Sequence, residues 1–454
     1  MEPFRYHVYV CDQQKAEGVP CCPARGSRGM LDALRREIVV QGLANQVQIT
    51  TCGSLGLCER GPNMVVYPEG VWYSGVQTED VREIVDSHFR QGRPVGRLVN
   101  TDQTALATEA CANRDRHLAS LRARDAAGVM PDELAQSIRG FQESRVILTA
   151  LELDLFTALG SGATAAQAAA TAGTEARATE MLLNALASLE LVRKEGAVFH
   201  NAPVAARYLA AGSADSARMA MLHTAGLWHR WSGLTECVRT GTATPEERGA
   251  EGTEAFIAAM HNNARQRAAQ LAGCLMGPGA AGASRMLDVG GGSGAYAIAF
   301  AQANPQLRAE VFDQPAVLAI AQRHIREAGL EERISTRVGD LRSDEFGGGY
   351  DLVLISAICH MLGVEENRNL LARVSRALVK GGRVAIQDFL LRADKTGPRS
   401  GALFSLNMLV NTQGGASYSE EEYTAWLREA EFGEVRRVPL PGPAGVLIAV
   451  RGGT

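Results

Sequence analysis

Residues 287–300, LDVGGGSGAYAIAF, run an apolar stretch, a glycine turn and an alanine-rich helical stretch together without interruption. A strand that turns on glycine into a helix opens an α/β unit, and Gly290, Gly292 and Gly294 let its backbone approach a ligand with no Cβ in the way. From Ser284 onward, RMLDVG, RAEVFD, ISTRVGD, YDLVLIS, GRVAIQDF and VLIAVRG alternate with helical patterns. That alternation predicts a parallel sheet covered on both faces, so the fold class is α/β. The loop alone leaves its ligand open. Gly290, Gly292 and Ala295 also satisfy the dinucleotide fingerprint, and a plain tight turn is a third reading.

Three acids narrow the choice. Asp288 ends the first strand, Asp313 the second and Asp340 the third. Ligands of open α/β sheets bind at the carboxyl ends of the strands. There Asp313 can accept from two ribose hydroxyls, and Asp340 can lie beside an adenine edge. Acids at three successive strand ends suit a nucleoside with a cationic sulfonium and no phosphates. With the adjoining Gln314 and Leu341, they make up the candidate cofactor site. A single Asp at a strand end is usually a turn residue.

At 454 residues the chain is long enough for two to four domains. Its formal charge of -4 and 46% apolar content describe a globular protein with no nucleic-acid partner and no membrane partner. No apolar run is long enough to span a bilayer, and the N-terminus is not a signal peptide, which predicts the cytoplasm. The pattern divides into an α/β unit over 1–92, a polar linker, partly helical, over 93–131, an Ala- and Leu-rich helical region over 132–276 and the strand–helix region over 277–454. Within the helical region, TEARATEMLLNALASLELVRKEGAVFHNAP reads as a helix followed by a hairpin wing. Five of the nine cysteines (Cys11, Cys21, Cys22, Cys52 and Cys58) fall in the first 60 residues. In a reducing compartment such a cluster points to metal or redox chemistry.

Residues 135–450 resemble the O-methyltransferases that include the caffeic acid, acetylserotonin and hydroxyneurosporene enzymes. The resemblance rests on LDVGGGSG, VFDQP, GDLRSDEF, YDLVLISAICHML, LVKGGRVAIQD and NTQGGASYSEEEY. It implies a helical dimerisation domain with a winged-helix core, a Rossmann-like domain, S-adenosylmethionine as methyl donor, a small-molecule acceptor and a homodimer. It also implies that His360 deprotonates the acceptor, with Asp388 orienting the ring. Two positions depart from the family pattern: Met361 stands where an acid commonly follows the histidine, and Ser417 stands where the plant members have a second acid. Trp228, Trp231, Met260, Met408 and Asn411 fall where the family lines its acceptor site, although such stripes are more often plain core.

Residues 5–90 resemble the thioredoxin-like [2Fe–2S] ferredoxins through YHVYVC, CCPARGS, LCERGPNMVVYPEGVWYSGV and EDVREIVDSHF. The resemblance implies an iron–sulfur cluster held by Cys11, Cys22, Cys52 and Cys58. Cys21 is an alternative to Cys22, whose loop is slightly shortened, and Ser54 is an alternative to Cys52, because the last two cysteines are spaced irregularly. The expected protein is therefore an S-adenosylmethionine-dependent methyltransferase of a small aromatic, quinone, polyketide or isoprenoid-like hydroxyl, with a fused electron-transfer or redox-sensing domain and a redox partner. The competing reading is a redox carrier or sensor that binds S-adenosylmethionine without turnover.

Overall fold

Tyr6, Val8 and Val10 are buried at alternate positions of β1 (Tyr6–Cys11), as a strand with one covered face requires. The cover is α1 (Ser27–Val40), which turns Met30, Leu31, Leu34 and Ile38 to one side. The computed structural model describes residues 3–15, 19–243, 250–276, 283–440, 442 and 444–452, with some side chains of 250–276 excepted. It forms two compact units, Met1–Gly140 and Phe141–Thr454.

In the first unit, β2 (Val47–Cys52), β3 (Asn63–Tyr67) and β4 (Val71–Ser74) complete a sheet of order β2-β1-β3-β4. β1 runs parallel to β2 and antiparallel to β3, and β4 is antiparallel to β3. α2 (Val81–Ile84) continues as a π-helical turn, Val85–Arg90, and with α1 buries Val8, Val10, Met64, Ile84 and Phe89 in one core. The stretch read as a linker holds a 24-residue helix, α3 (Gln103–Ala126). Its first half docks on the 53–61 loop. Asn113 donates to the Gly56 carbonyl at 2.6 Å, Glu109 pairs with Arg60, and a Cβ on Gly56 would stand 3.0 Å from the Ala110 backbone. α4 (Asp132–Arg139) leaves Leu134 and Ile138 exposed.

The second unit begins with α5 (Phe141–Glu152), α6 (Leu155–Ala158), β5 (Ala163–Thr164), α7 (Ala165–Ala172) and α8 (Ala176–Ser188). A hairpin of β6 (Val192–Glu195) and β7 (Val198–Asn201) follows α8, where helix and wing were expected. Then come α9 (Pro203–Tyr208), α10 (Arg218–Ser232), α11 (Leu234–Thr240) and α12 (Ala250–Met276).

The remaining strands are β8 (Arg285–Val289), β9 (Arg308–Asp313), β10 (Ile334–Val338), β11 (Tyr350–Ser356), β12 (Leu378–Asp388), β13 (Phe432–Val438) and β14 (Gly445–Arg451). They form one sheet of order β10-β9-β8-β11-β12-β14-β13, in which β8 to β12 are parallel and β14 is antiparallel to both neighbours. α13 (Ala295–Ala303), α14 (Pro315–Glu327), α15 (Val364–Ala377), α16 (Arg399–Asn411) and α17 (Glu420–Glu429) complete the unit. Leu287, Val353 and Ile386 face one core, and Met286, Leu354 and Ala385 the other. Burial on both faces is why these strands read as unbroken apolar runs.

The six expected strands of this sheet are present, and β13 is a seventh that the pattern did not reveal. It lies at the sheet edge, its pairing is irregular between Phe432 and Val435, and Glu434, Arg436 and Arg437 are exposed. The irregularity breaks the period of two, and edge charges are how sheets avoid further pairing. Among the described residues no helix is long and apolar enough to cross a membrane.

Candidate active site

Successive strands step away from β8 on one side through β9 and β10, and on the other through β11 and β12. The chain order therefore reverses between β8 and β11, which opens a crevice at the carboxyl ends of these two strands. The glycine loop after β8 and the loop after β11, which carries His360, meet there. Gly290, Gly292 and Gly294 have φ of 64°, 59° and 75°. Gly290 is also forced by space, since a Cβ on it would stand 2.3 Å from Ile358 and 3.6 Å from Leu341. Leu341 and Ile358 thus stand together over the loop. Leu341 was a sequence candidate; Ile358 carried no sequence signal, being one apolar residue among many.

The three acids occupy different environments. Asp313 is half-buried and accepts from the Gly292 amide at 2.9 Å and the Gln314 amide at 2.7 Å. Burial raises its carboxyl above the ordinary range. Gln314 contributes that amide as N-cap of α14, with its side chain exposed. Asp340 is exposed and accepts from the Arg342 amide at 2.8 Å within a turn. Asp288 lies fully buried beneath the loop, and neither of its oxygens has a hydrogen-bond partner among the described residues. Gly291 permits this arrangement, because a Cβ there would meet the Asp288 carboxyl at 2.8 Å.

Burial pushes the Asp288 carboxyl up to about 7; the nearby Ala297 amide offsets part of that rise, and Asp313 adds a smaller one. An unpartnered buried carboxylate is costly, and a cationic ligand relieves that cost. The residues present therefore suit a sulfonium nucleoside: a half-buried carboxylate at Asp313, apolar Leu341 and Ile358 over the loop, and a buried carboxyl at Asp288 below it. The sign of the pH dependence follows. Asp288 is neutral below about pH 7 and must ionise to favour a cation. S-adenosylmethionine should therefore bind more tightly as pH rises from 6 to 8, with proton release near pH 6, and Asp288→Asn should flatten the trend. Calorimetry in buffers of different ionisation enthalpy checks this. A pH-independent affinity would contradict it.

The second loop begins at Ala357, whose φ of 59° is unusual for a residue with a side chain. This turn brings Ile358 over Gly290 and sends His360 back to the end of β12. There His360 Nδ1 lies 2.6 Å from Asp388 Oδ1, and the His360 amide donates to Asp388 Oδ2 at 3.1 Å. A carboxylate only accepts, so Nδ1 carries the hydrogen and Nε2 is left with a lone pair. Nε2 has no partner among the described residues. Phe404 meets the ring edge-on at 4.8 Å between centroids and stacks on Phe389 at 3.9 Å. The pair expected from sequence is thus brought together, beside an aromatic wall that was not expected.

The O-methyltransferase domain family matches residues 241–433, and the O-methyltransferase dimerisation domain family matches residues 135–211. The 3-hydroxy-5-methyl-1-naphthoate 3-O-methyltransferase of Streptomyces sahachiroi is 36% identical over 336 residues, 71% of this chain and 95% of that one. This chain belongs to the O-methyltransferase family. It is also 34% identical to bovine acetylserotonin O-methyltransferase, over 67% of this chain and 92% of that one. The structure of human N-acetylserotonin methyltransferase with S-adenosylmethionine is similar at a TM-score of 0.62 and 26% identity, covering 71% of this chain and 97% of that one. The protein is thus an S-adenosylmethionine-dependent methyltransferase.

In this O-methyltransferase the acceptor-side candidates part company. Trp231 Nε1 donates to Asn407 Oδ1 at 3.0 Å, and Arg230 donates to Asn411 Oδ1 at 3.1 Å, linking α10 to α16. Phe404, Asn407 and Asn411 share one face of α16. Trp228 packs instead on the α5–α9 core and against Phe141. Met408 is buried and Met260 half-buried. Met361 packs on the sheet core. Ser417 is buried, and its hydroxyl has no partner among the described residues.

In the N-terminal unit of the methyltransferase, Cys11 and Cys52 are partners across β1 and β2. The Cys22 thiol donates to Cys11, whose sulfur also receives the amides of Leu55 and Gln13. Cys11 is thereby lowered to about 6, and Cys22 is raised. Burial raises Cys52 to about 11, with the neighbouring Cys11 adding to it. Gly61 makes room for Cys22, since a Cβ on it would stand 2.8 Å from that sulfur. Cys21 turns to Gln14, and the Ser54 hydroxyl lies 3.3 Å from the Cys58 sulfur. Among the described residues no group of three or more His, Cys, Asp or Glu is drawn together closely enough to hold a metal ion.

Proposed function

We propose that the enzyme methylates a hydroxyl of a small aromatic or polyketide-type acceptor, with His360 as general base and Asp388 orienting it. The observation that carries this reading is the 2.6 Å His360–Asp388 contact beside the Phe389–Phe404 wall. His360 Nε2 takes the hydroxyl proton while the oxygen lone pair forms the bond to the methyl carbon. The carbon–sulfur bond breaks with its pair on sulfur, leaving a thioether. Aligned reactants and one removed proton account for the chemistry asked of the protein. The naphthoate named for the Streptomyces sahachiroi relative supplies the first acceptor to try. Incubation with S-adenosylmethionine and 3-hydroxy-5-methyl-1-naphthoate should yield S-adenosylhomocysteine and a methyl ether. No turnover of this naphthoate, of N-acetylserotonin or of any of a panel of hydroxylated polyketides would contradict the acceptor class.

The dimerisation-domain match and the exposed Leu134 and Ile138 of α4 support a homodimer.

We also infer that residues 1–92 form a thioredoxin-like domain carrying a [2Fe–2S] cluster on Cys11, Cys22, Cys52 and Cys58. The β2-β1-β3-β4 order, the Cys11–Cys22 contact and the pairing of Cys11 with Cys52 across β1 and β2 support this reading. The donor set is chemically suited, since thiolates are the ligands of such clusters. When bound, the cluster supplies one-electron transfer to a redox partner. Anaerobically purified protein should be brown, with about two irons per chain, and Cys58→Ala should lose most of them. A colourless, iron-free preparation would remove the cluster. Cys52→Ala and Ser54→Ala, made separately, identify the fourth ligand.

A further inference from the structure

Asp388 is almost fully buried and accepts four hydrogen bonds, the full capacity of a carboxylate. Three donors are close at hand in the base loop or in the chain itself: the His360 ring, the His360 amide and the Phe389 amide at 2.8 Å. The fourth is the Tyr423 hydroxyl, 3.1 Å from Oδ2, and it comes from α17. We propose that Tyr423 is a positioning residue for the base. Its hydroxyl fixes the carboxylate that holds His360 with Nε2 open to the acceptor, an inference that rests on His360 being the base.

The local structure holds that hydroxyl firmly. Ser419 and Glu422 form a reciprocal capping box, which fixes where α17 begins. The Tyr423 ring is fully buried and meets Tyr418 and Trp426 edge-on at 6.1 and 5.4 Å. The Cys359 thiol lies against the same hydroxyl. Burial, reinforced by the charge of Asp388, pushes the Tyr423 hydroxyl well above the tyrosine range, so it remains a donor at working pH. Cys359 and Tyr423 both lie in the field of Asp388, and Tyr418 borders the two of them. A ring placed here for packing alone would need no hydroxyl, and a buried hydroxyl left without a partner would be costly.

The consequence is electrostatic. Each donor to Asp388 draws off part of the carboxylate charge that would otherwise fall on the imidazole. Tyr423→Phe keeps the ring and removes one donor, so the His360 ring should keep its second proton to higher pH. The test is the titration of the His360 ring, followed by NMR of the full chain with isotope-labelled histidine and assigned with His360→Gln. This readout needs no acceptor. Tyr423→Phe should move the His360 midpoint up by about half a pH unit or more, and 3-fluorotyrosine at 423, a stronger donor, should move it down. In an Asp388→Asn background the same Tyr423 change should move it little, as expected if Tyr423 acts through Asp388. With the naphthoate probe, Tyr423→Phe should lower kcat about three- to tenfold on the acid side and recover at alkaline pH, with S-adenosylmethionine affinity unchanged. An unmoved midpoint in both Tyr423 variants, or an equal shift with Asp388→Asn present, would overturn the proposal. Near-normal transfer by His360→Ala would instead remove the base reading.

Discussion

Replacing His360 by alanine is expected to lower single-turnover methyl transfer by about 10²–10⁴-fold, the range for loss of a general base. S-adenosylmethionine affinity should stay within about twofold, because an interaction made only with the acceptor lowers turnover and not cofactor binding. The size of the effect follows from the structure. Asp388 holds the ring through Nδ1, and Nε2 has no hydrogen-bond partner among the described residues. Asp388→Asn should cost less, since an amide can still support the ring while offering it the wrong partner on some fraction of turnovers. The acid side of the rate profile should be steeper than the alkaline side, because only the neutral ring accepts a proton. Stopped-flow or rapid-quench measurements with enzyme in excess separate this step from product release. A His360 variant with near-normal single-turnover rates would show that alignment alone drives transfer, with Met361 and Ser417 marking an enzyme that no longer needs a base.

The second large effect is expected at Asp313. Its carboxylate already accepts from Gly292 and Gln314, and both bonds hold the glycine loop against the end of β9. Asp313→Ala removes both of these bonds, releasing the loop, and with them the carboxylate expected to accept from the ribose hydroxyls. Charge-assisted hydrogen bonds of this kind contribute about 1.5–3 kcal/mol, so S-adenosylmethionine affinity should fall about 10- to 100-fold by calorimetry. Asp340→Ala, by contrast, should change affinity little if that residue stays the turn residue seen here. A loss below about twofold for Asp313→Ala would place the ribose elsewhere.

The contrast among the three acids shows how far a sequence carries such a site. Glycines before a helix, and acids at strand ends, are local signals, and the structure gathers them at the carboxyl ends of β8, β9 and β10. What they could not convey is environment. Asp288, Asp313 and Asp340 look alike in sequence, yet they are buried without a partner, half-buried and bonded, and exposed in a turn. Burial depends on which strands become neighbours, and β8 meets β11 only through a crossover of more than fifty residues. Tyr423 and Phe404 were invisible for the same reason, since both reach the base from helices far along the chain. β13 was missed because an irregular, charged edge strand lacks the period of two, and α3 read as linker because its contact with the 53–61 loop rests on Asn113, Glu109 and Ala110. The His360–Asp388 pair came from family resemblance, and no spacing rule links residues 28 apart, one in the loop after β11 and one at the end of β12.

On the proposed function, the crevice transfers the methyl of S-adenosylmethionine to an acceptor oxygen. The most direct test uses donor labelled with carbon-13 in the methyl group, a single turnover with 3-hydroxy-5-methyl-1-naphthoate, and NMR of the product. The label should appear in a methoxy group on the ring, with one equivalent of S-adenosylhomocysteine formed per label transferred. Label retained in the donor while it binds at the crevice, or label found on ring carbon, would contradict the account.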